Sequence, residues 1–317
     1  MTSFNISTAE PLLSIVTATL GKFSDYWLEQ LLKVKGNVEF ILVYPPNTPI
    51  PNFPDPRIRV IISPFKGEVM QRMTGLLNVN TEYVIALDDD DFIHPDILEL
   101  TSNYFARFPE SWVLRLAIKN IDYQDEAEIQ KEWSAIPNID QLEVISKTPE
   151  NPYPYQKGNY KDLLAIPIVP LNNKLDILLL INQKRTRKDR EGIHFENFNN
   201  KVWKTVQVKE SLEDFSQTLK LMNALTWIPS WSLDRTLGLF IQAKFYEPEK
   251  IMGHALPKPE QIRYILMQKK GFRIYLSSDI LLIKRFPQYA YLWNLIFSQL
   301  DQIPRFLFSR LKSILQK

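Results

Sequence analysis

Residues 88–91 are four consecutive aspartates. Carboxylates on adjacent residues repel one another and resist burial, so a fold keeps such a cluster only in water or beside a cation. Mg²⁺ and Mn²⁺ take carboxylate oxygens together with phosphate oxygens, and an ion held that way can offset the charge of a leaving diphosphate. Aspartates at alternate positions let one side chain reach a ribose while another holds the ion. The competing account is an acidic loop, with Asp91 or Asp96 near the cap of the next helix. What precedes the run favours the ion. Residues 83–87 (YVIAL) read as a short buried strand, so the acids leave the carboxyl end of a strand, where open α/β sheets bind their ligands.

Stepping outward from the acids, residues 12–19, 39–44 and 58–62 are three more short apolar runs of strand character. Residues 25–34, 67–79 and 95–105 between and after them have helical spacing. Strands alternating with helices imply crossover connections and a mainly parallel sheet. The stretch 120–159 is less regular, and its PENPYPYQKGNY reads as a loop. Strands are expected at 162–170 and 174–182, with the basic run 184–190 after them. A helix is expected over 211–225, with Ser211 and Asp214 as a capping box and Leu212, Phe215, Leu219 and Met222 on one face. Another begins near Ser232 and carries 233–245. Residues 288–317 read as an amphipathic helical tail.

Composition narrows the classes. A chain of 317 residues is long enough for one large domain or a domain with an appendage. It holds no cysteine, which excludes disulfide scaffolds and cysteine-ligated metals. Lys and Arg total 38 against 36 for Asp and Glu, so bulk charge makes no case for nucleic acid as a partner. Residues 1–16 lack a basic region followed by a long apolar run, so no signal peptide is expected. No uncharged apolar stretch reaches the roughly 18 residues of a spanning helix. The expected location is cytoplasmic. Only nine residues are glycine, too few for several Gly-rich phosphate loops. A sugar nucleotidyltransferase wants such a loop after its first strand, and residues 17–22 (TATLGK) are a poor match.

The stretch 71–95, QRMTGLLNVNTEYVIALDDDDFIHP, resembles the core signature of the family 2 glycosyltransferases of GT-A fold. That signature has an Arg-Asn-x-Gly-Leu helix, a Gly-Glu-Tyr strand start, and a strand ending in Asp-x-Asp-Asp before a proline. Arg72, Gly75, Leu76, Glu82 and Tyr83 match it, and Asp88 and Asp90 fall on the Asp-x-Asp pair. Residues 12–22 are similar to the family's first strand and nucleotide loop. The resemblance covers residues 1–120 well and the remainder loosely.

What the resemblance implies is a GT-A-type (Rossmann-like) α/β fold: a mainly parallel mixed sheet flanked by helices, with a C-terminal helical appendage. Residues 1–260 would form the transferase domain, with a nucleotide half at 1–120 and an acceptor half at 121–260, and 261–317 the helical extension. The implied activity moves a sugar from a nucleotide-diphospho-sugar to an acceptor hydroxyl with inversion, using Mn²⁺ or Mg²⁺. Thr17, Thr19, Tyr44, Arg72, Asp88 and Asp89 would bind the donor, and Asp90 the metal. Two departures stand out. The second strand ends in Tyr44 and two prolines where the family has a base-binding Asp, and Met73 replaces the family's Asn.

The family's general base is a carboxylate near a helix start, and Asp234 in WIPSWSLDRTLGLF is the match, without the Glu that often precedes it. A helix N-terminus favours the ionised form such a base needs; the plain alternative is an acid complementing the helix dipole. His254 lies where relatives place a metal-binding His, and imidazole would tilt the site toward Mn²⁺; packing is the plain alternative. Trp203, Trp227 and Trp231 could stack on sugars or belong to the core, and the run 184–190 could grip a diphosphate or be a solvated loop. The acceptor would be a glycan or a lipid-linked hydroxyl. The C-terminal helix, with basic residues opposite Phe306, Leu307, Leu311 and Leu315, could rest on an anionic membrane face or on the domain itself. A second function class is a non-catalytic nucleotide-sugar-binding protein on the same frame.

Overall fold

Side chains in a strand alternate between faces, and here the alternation splits the core in two. The computed structural model describes residues 10–146, 148, 160–167, 197–221, 230–248, 250–266, 276–297 and 299. The strands are β1 Leu13–Ala18, β2 Val38–Tyr44, β3 Ile58–Ile62, β4 Tyr83–Ala86, β5 Phe92–Ile93, β6 Val113–Arg115, β7 Ile118–Asp122, β8 Val144–Ile145, β9 Leu163–Pro167, β10 Lys201–Lys204, β11 Ile251–Ala255 and β12 Ile262–Leu266. The helices are α1 Asp25–Leu32, α2 Glu68–Leu77, α3 Ile97–Arg107, α4 Glu126–Gln130, α5 Thr205–Leu221, α6 Ser230–Lys244, α7 Leu276–Arg285 and α8 Tyr291–Phe297.

Among the described residues the main sheet has nine strands in the order β3-β2-β1-β4-β10-β6-β11-β9-β8. β3, β2, β1 and β4 run parallel, β10 is antiparallel to both its neighbours, and β11 is parallel to β6. The expected mainly parallel mixed sheet with flanking helices is present. Ile15, Phe40, Leu42 and Ile85 face α1 and α3, where Trp27, Leu31, Leu100 and Tyr104 close the layer. Val16, Ile41, Val43, Val84 and Ala86 face the other way, against Val69, Met73 and Leu76 of α2 and apolar residues of α5 to α8. A second sheet, β5-β12-β7, stands beside the end of β4.

Two sequence expectations change. The helix placed at 211–225 begins at Thr205, and Ser211 is buried within it rather than capping it. The cause is the apolar stripe, which starts upstream: Val208, Leu212 and Phe215 are all buried at helical spacing. The stretch 261–317 opens with a strand, β12, and the buried residues of α7 and α8 join the same cluster as α2. The strand expected at 174–182, the basic run 184–190, Trp227 and the tail from 300 onward lie outside the described residues. No helix among the described residues is long and apolar enough to cross a membrane.

α2 sits close to the sheet because Gly75 lets it. A Cβ there would come within 2.5 Å of Val16 Cγ1 and 2.7 Å of Val43 Cγ2, and neither branched side chain can swing aside. This contact sets the height of Arg72, one turn earlier on the helix. Gly75→Val should therefore lower the stability to urea by about 3 kcal/mol from overpacking, read as a fall in unfolding midpoint with unchanged slope; an unmoved midpoint would show that α2 does not rest on β1 and β2.

Candidate active site at the switch point of the sheet

From β1 the chain crosses to β2 on one side, while β4 pairs on the other. Such a reversal opens a crevice at the carboxyl ends of the two strands. Both the loop after β1 and the acidic run after β4 enter it. The crevice has a volume of about 990 Å³ and is walled by 18–20, 45–48, 66–68, Arg72, Asp88 to Asp90, Ile129 and Ile265. That suits a nucleotide-sized ligand.

Each aspartate of the run meets a different environment. Asp88 pairs with the Arg72 guanidinium, which also holds Glu68 at 2.8 Å. Burial alone would lower the Arg72 pKa, but the Asp88 and Glu68 carboxylates outweigh it and raise it, so the guanidinium stays charged. Thr19 Oγ1 donates to Asp89 Oδ2 at 2.6 Å while accepting the Gly21 N–H at 2.9 Å. Burial raises the Asp89 pKa against that hydrogen bond. Asp91 is 1% exposed. Its Oδ1 accepts the Ile265 N–H at 2.9 Å, its Oδ2 accepts Asn200 Nδ2 at 3.3 Å, and its carbonyl accepts Trp27 Nε1 at 2.9 Å. Burial and then the Asp88 charge push the Asp91 carboxyl up to about 8. Asp90 is raised to about 6, first by burial and then by Asp88 and Asp89, and the hydrogen bond it accepts is from its own backbone N–H.

Oxygens of Asp88, Asp90 and Asp91 lie within 4.8 Å of one another. An all-oxygen set in which burial raises Asp90 and Asp91 fits a hard divalent cation, whose charge would reverse those two shifts. Mg²⁺ or Mn²⁺ could be held there, with Asp90 the oxygen donor least engaged elsewhere.

Asp234 lies beside this cluster. α6 begins at Ser230, so Asp234 is in the second turn and not, as expected, the first; no acid occupies the first turn. The helix N-terminus therefore does less to keep it ionised. Its Oδ1 accepts the Asn199 N–H at 2.6 Å. Burial raises its pKa, opposed by that hydrogen bond and by the charges of Lys201 and Arg72. Lys201, itself buried, is lowered to about 7 by burial and by Arg115, with Asp234 acting in the opposite direction.

The other expected residues divide. Arg72 and Thr19 line the crevice with Asp88, Asp89 and Asp90. Thr17 and Tyr44 are fully buried beneath it and do not line it; the Tyr44 ring packs under Gly21, whose φ of +73° suits glycine. His254 stands apart from the acidic group: its Nδ1 shares a hydrogen bond of 2.8 Å with the Tyr104 hydroxyl, and its ring packs on Phe108. Burial lowers it to about 4, so it is a neutral core imidazole. Trp203 is 0% exposed and stacked on Phe198, a core residue and not a sugar platform. The Trp231 side chain lies outside the described residues. Sequence reasoning missed Gln71, which caps the carbonyls of Thr19 and Val43 at 2.9 and 2.6 Å, and the turn at 198–200. Gln71 was findable as a polar residue one position from Arg72 on the sheet-facing side of α2; the motif HFENFNN carries no local signal.

Residues 48–164 match the family model described as Glycosyl transferase family 2. No curated protein matches the sequence. Among solved structures, S. aureus TarS in complex with UDP-GlcNAc (residues 1–349) is 11% identical with a TM-score of 0.45, covering 87% of this chain and 72% of that one. The same segment in complex with UDP is 13% identical with a TM-score of 0.44, covering 86% and 70%. In a further TarS structure, with 11% identity and a TM-score of 0.44, the match covers 86% of this chain but only 42% of that one.

The raised Asp90 carboxyl has a measurable sign. The folded protein holds this proton more tightly than the unfolded chain, so it loses stability as pH rises from 3.8 to about 6. In EDTA, Asp90→Asn should gain on the wild type across that window by on the order of 1 kcal/mol after solvent screening, or about 2–4 °C in Tm. Excess Mn²⁺ should restore the wild type and leave the variant unmoved. Parallel melting curves for the two proteins in both buffers would remove Asp90 from the cation site.

Proposed function

We propose that this chain, a glycosyl transferase family 2 protein over residues 48–164, transfers a sugar from a nucleotide-diphospho-sugar to an acceptor hydroxyl with inversion. The observation that carries this reading is that Arg72, Asp88 and Asp234 belong to one hydrogen-bonded network at the switch-point crevice. The donor lies in that crevice with its nucleotide against the loop after β1 and its diphosphate toward Arg72, and Asp88 serves the ribose. Mn²⁺ or Mg²⁺, held by Asp90 with Asp88 and Asp91, would offset the charge of the departing diphosphate.

Asp234 takes the acceptor proton. Its Oδ1 is occupied by the Asn199 N–H, which leaves the second oxygen for the acceptor hydroxyl. As that hydroxyl oxygen bonds to the anomeric carbon, the bond from that carbon to the diphosphate oxygen breaks and the hydroxyl proton passes to Asp234. A buried carboxylate with a raised pKa is a stronger base than one in water. His254 has no part in this scheme, because it is not among the side chains whose ligand atoms gather at the acidic run. The acceptor is a glycan or lipid-linked hydroxyl.

A binding-only reading draws on one observation, that Asp234 adjoins the crevice without lining it. Turnover decides between the two. Asp234→Asn should lower kcat by about 10²–10⁴-fold, the usual worth of a general base, while calorimetry shows donor affinity retained. The acid limb of the wild-type pH profile should lie above the ordinary carboxylate range and vanish with the variant, because activity needs the ionised form. Asp90→Ala should remove transfer in Mn²⁺. Full turnover in either variant refutes the role given to that residue; donor binding without any product from the wild type would favour the binding-only reading.

A further inference from the structure

The turn at residues 198–200 touches both halves of the site. On one side, the Phe198 N–H donates to the Asp234 carbonyl at 3.0 Å and the Asn199 N–H to Asp234 Oδ1 at 2.6 Å. On the other, the Asn200 N–H donates to the Ala86 carbonyl at 3.1 Å and Asn200 Nδ2 to Asp91 Oδ2 at 3.3 Å. Asn200 has a φ of +59°, a left-handed conformation that asparagine tolerates better than most residues. The turn is therefore strapped to β4 and to α6 at once.

Between the straps lies the Asn199 side chain. Its Oδ1 accepts from Arg72 Nη1 at 3.1 Å, and its Nδ2 makes a longer contact of 3.4 Å to Asp88 Oδ1. A primary amide offers an acceptor to the cation and a donor to the anion at the same time. A carboxylate in its place would face Asp88 with like charge, and an aliphatic side chain would link to neither.

We infer that Asn199 is a positioning residue that fixes the Arg72–Asp88 pair relative to Asp234, and so sets the spacing between bound donor and base. The inference rests on the reading of Asp234 as the base. Without the amide, Arg72 keeps Asp88 and Glu68, so the donor side survives. The turn keeps its backbone bonds to β4 and α6 but loses its direct link to Arg72 and Asp88, so the spacing of that pair from Asp234 is no longer fixed. A displacement of about 1 Å can cost on the order of 10²-fold in rate.

The test uses the full chain as wild type, Asn199→Ala, Asn199→Asp and Asp234→Asn, in Mn²⁺. Transfer is measured with a nucleotide-sugar that the wild type turns over. Calorimetry with the corresponding nucleoside diphosphate counts competent sites, so that kcat is expressed per binding site. Asn199→Ala and Asn199→Asp should each lose about 10–100-fold in kcat per site, with nucleotide Kd and donor KM within about threefold of the wild type. Wild-type kcat per site in either folded variant overturns the inference, and so does a loss carried by donor KM alone. Loss of binding sites in both variants would assign Asn199 to folding and overturn it as well. A fully active Asp234→Asn would instead sink the base assignment, whatever Asn199 does.

Discussion

Four adjacent carboxylates can share one sheet edge only if each is given a different neighbour. Here the turn after β4 gives three of them different partners. Asp88 goes to Arg72, Asp89 to Thr19 and Asp91 inward to the Ile265 N–H and Asn200. Asp90 is left with its own backbone N–H and the repulsion of its neighbours. The surrounding structure follows from supplying those neighbours. α2 must lie close enough for Arg72 to reach over the strand ends, β12 must pass Asp91 with an N–H turned toward it, and the turn before β10 must bring its asparagines to the acids.

The inward aspartate explains why a small second sheet accompanies the large one. Asp91 ties β12 to the acidic run through a hydrogen bond to a backbone N–H, and β12 pairs with β5, which begins immediately after that run. Ile265 thereby enters the crevice wall. A buried carboxylate bound by neutral donors is costly when ionised, and this one is pushed to about 8. The same residue thus anchors the wall, and a cation beside it would favour its ionised form.

Residues 12–105 were legible because their signals are local. Short apolar runs marked β1 to β4, Ser24 caps α1 through the Trp27 N–H, and the spacing of Val69, Met73 and Leu76 marked α2. Arg72, Thr19 and the acids follow from those elements by position alone. Where a contact is made across the chain, the sequence is silent. His254 read as a ligand because relatives place a metal-binding His there, yet a tyrosine 150 positions away takes its Nδ1. Trp203 was open between sugar platform and core residue, and the insertion of β10 between β4 and β6 places it in the core. Asn199 had no reading, since its partners are 127 and 111 residues distant. Ser211 misled for a different reason: a capping pattern inside an apolar stripe loses to the stripe.

The insertion of β10 also accounts for the electrostatics around Asp234. An antiparallel strand between parallel ones brings its first residue, Lys201, to the carboxyl-end rim, directly across from Arg115. Two cations side by side in a buried place are unfavourable, and burial with Arg115 drives Lys201 down to about 7. Asp234 opposes that fall, and Lys201 in turn opposes the rise that burial imposes on Asp234. Burial raises the Asp234 pKa, and the positive charges of Lys201 and Arg72 limit that rise. On the far side, Arg72 is already shared between Asp88 and Glu68 and reaches Asp234 only as a distant charge. A different cation thus stands by each carboxylate, Arg72 by Asp88 and Lys201 near Asp234, and the turn at 198–200 touches both sets.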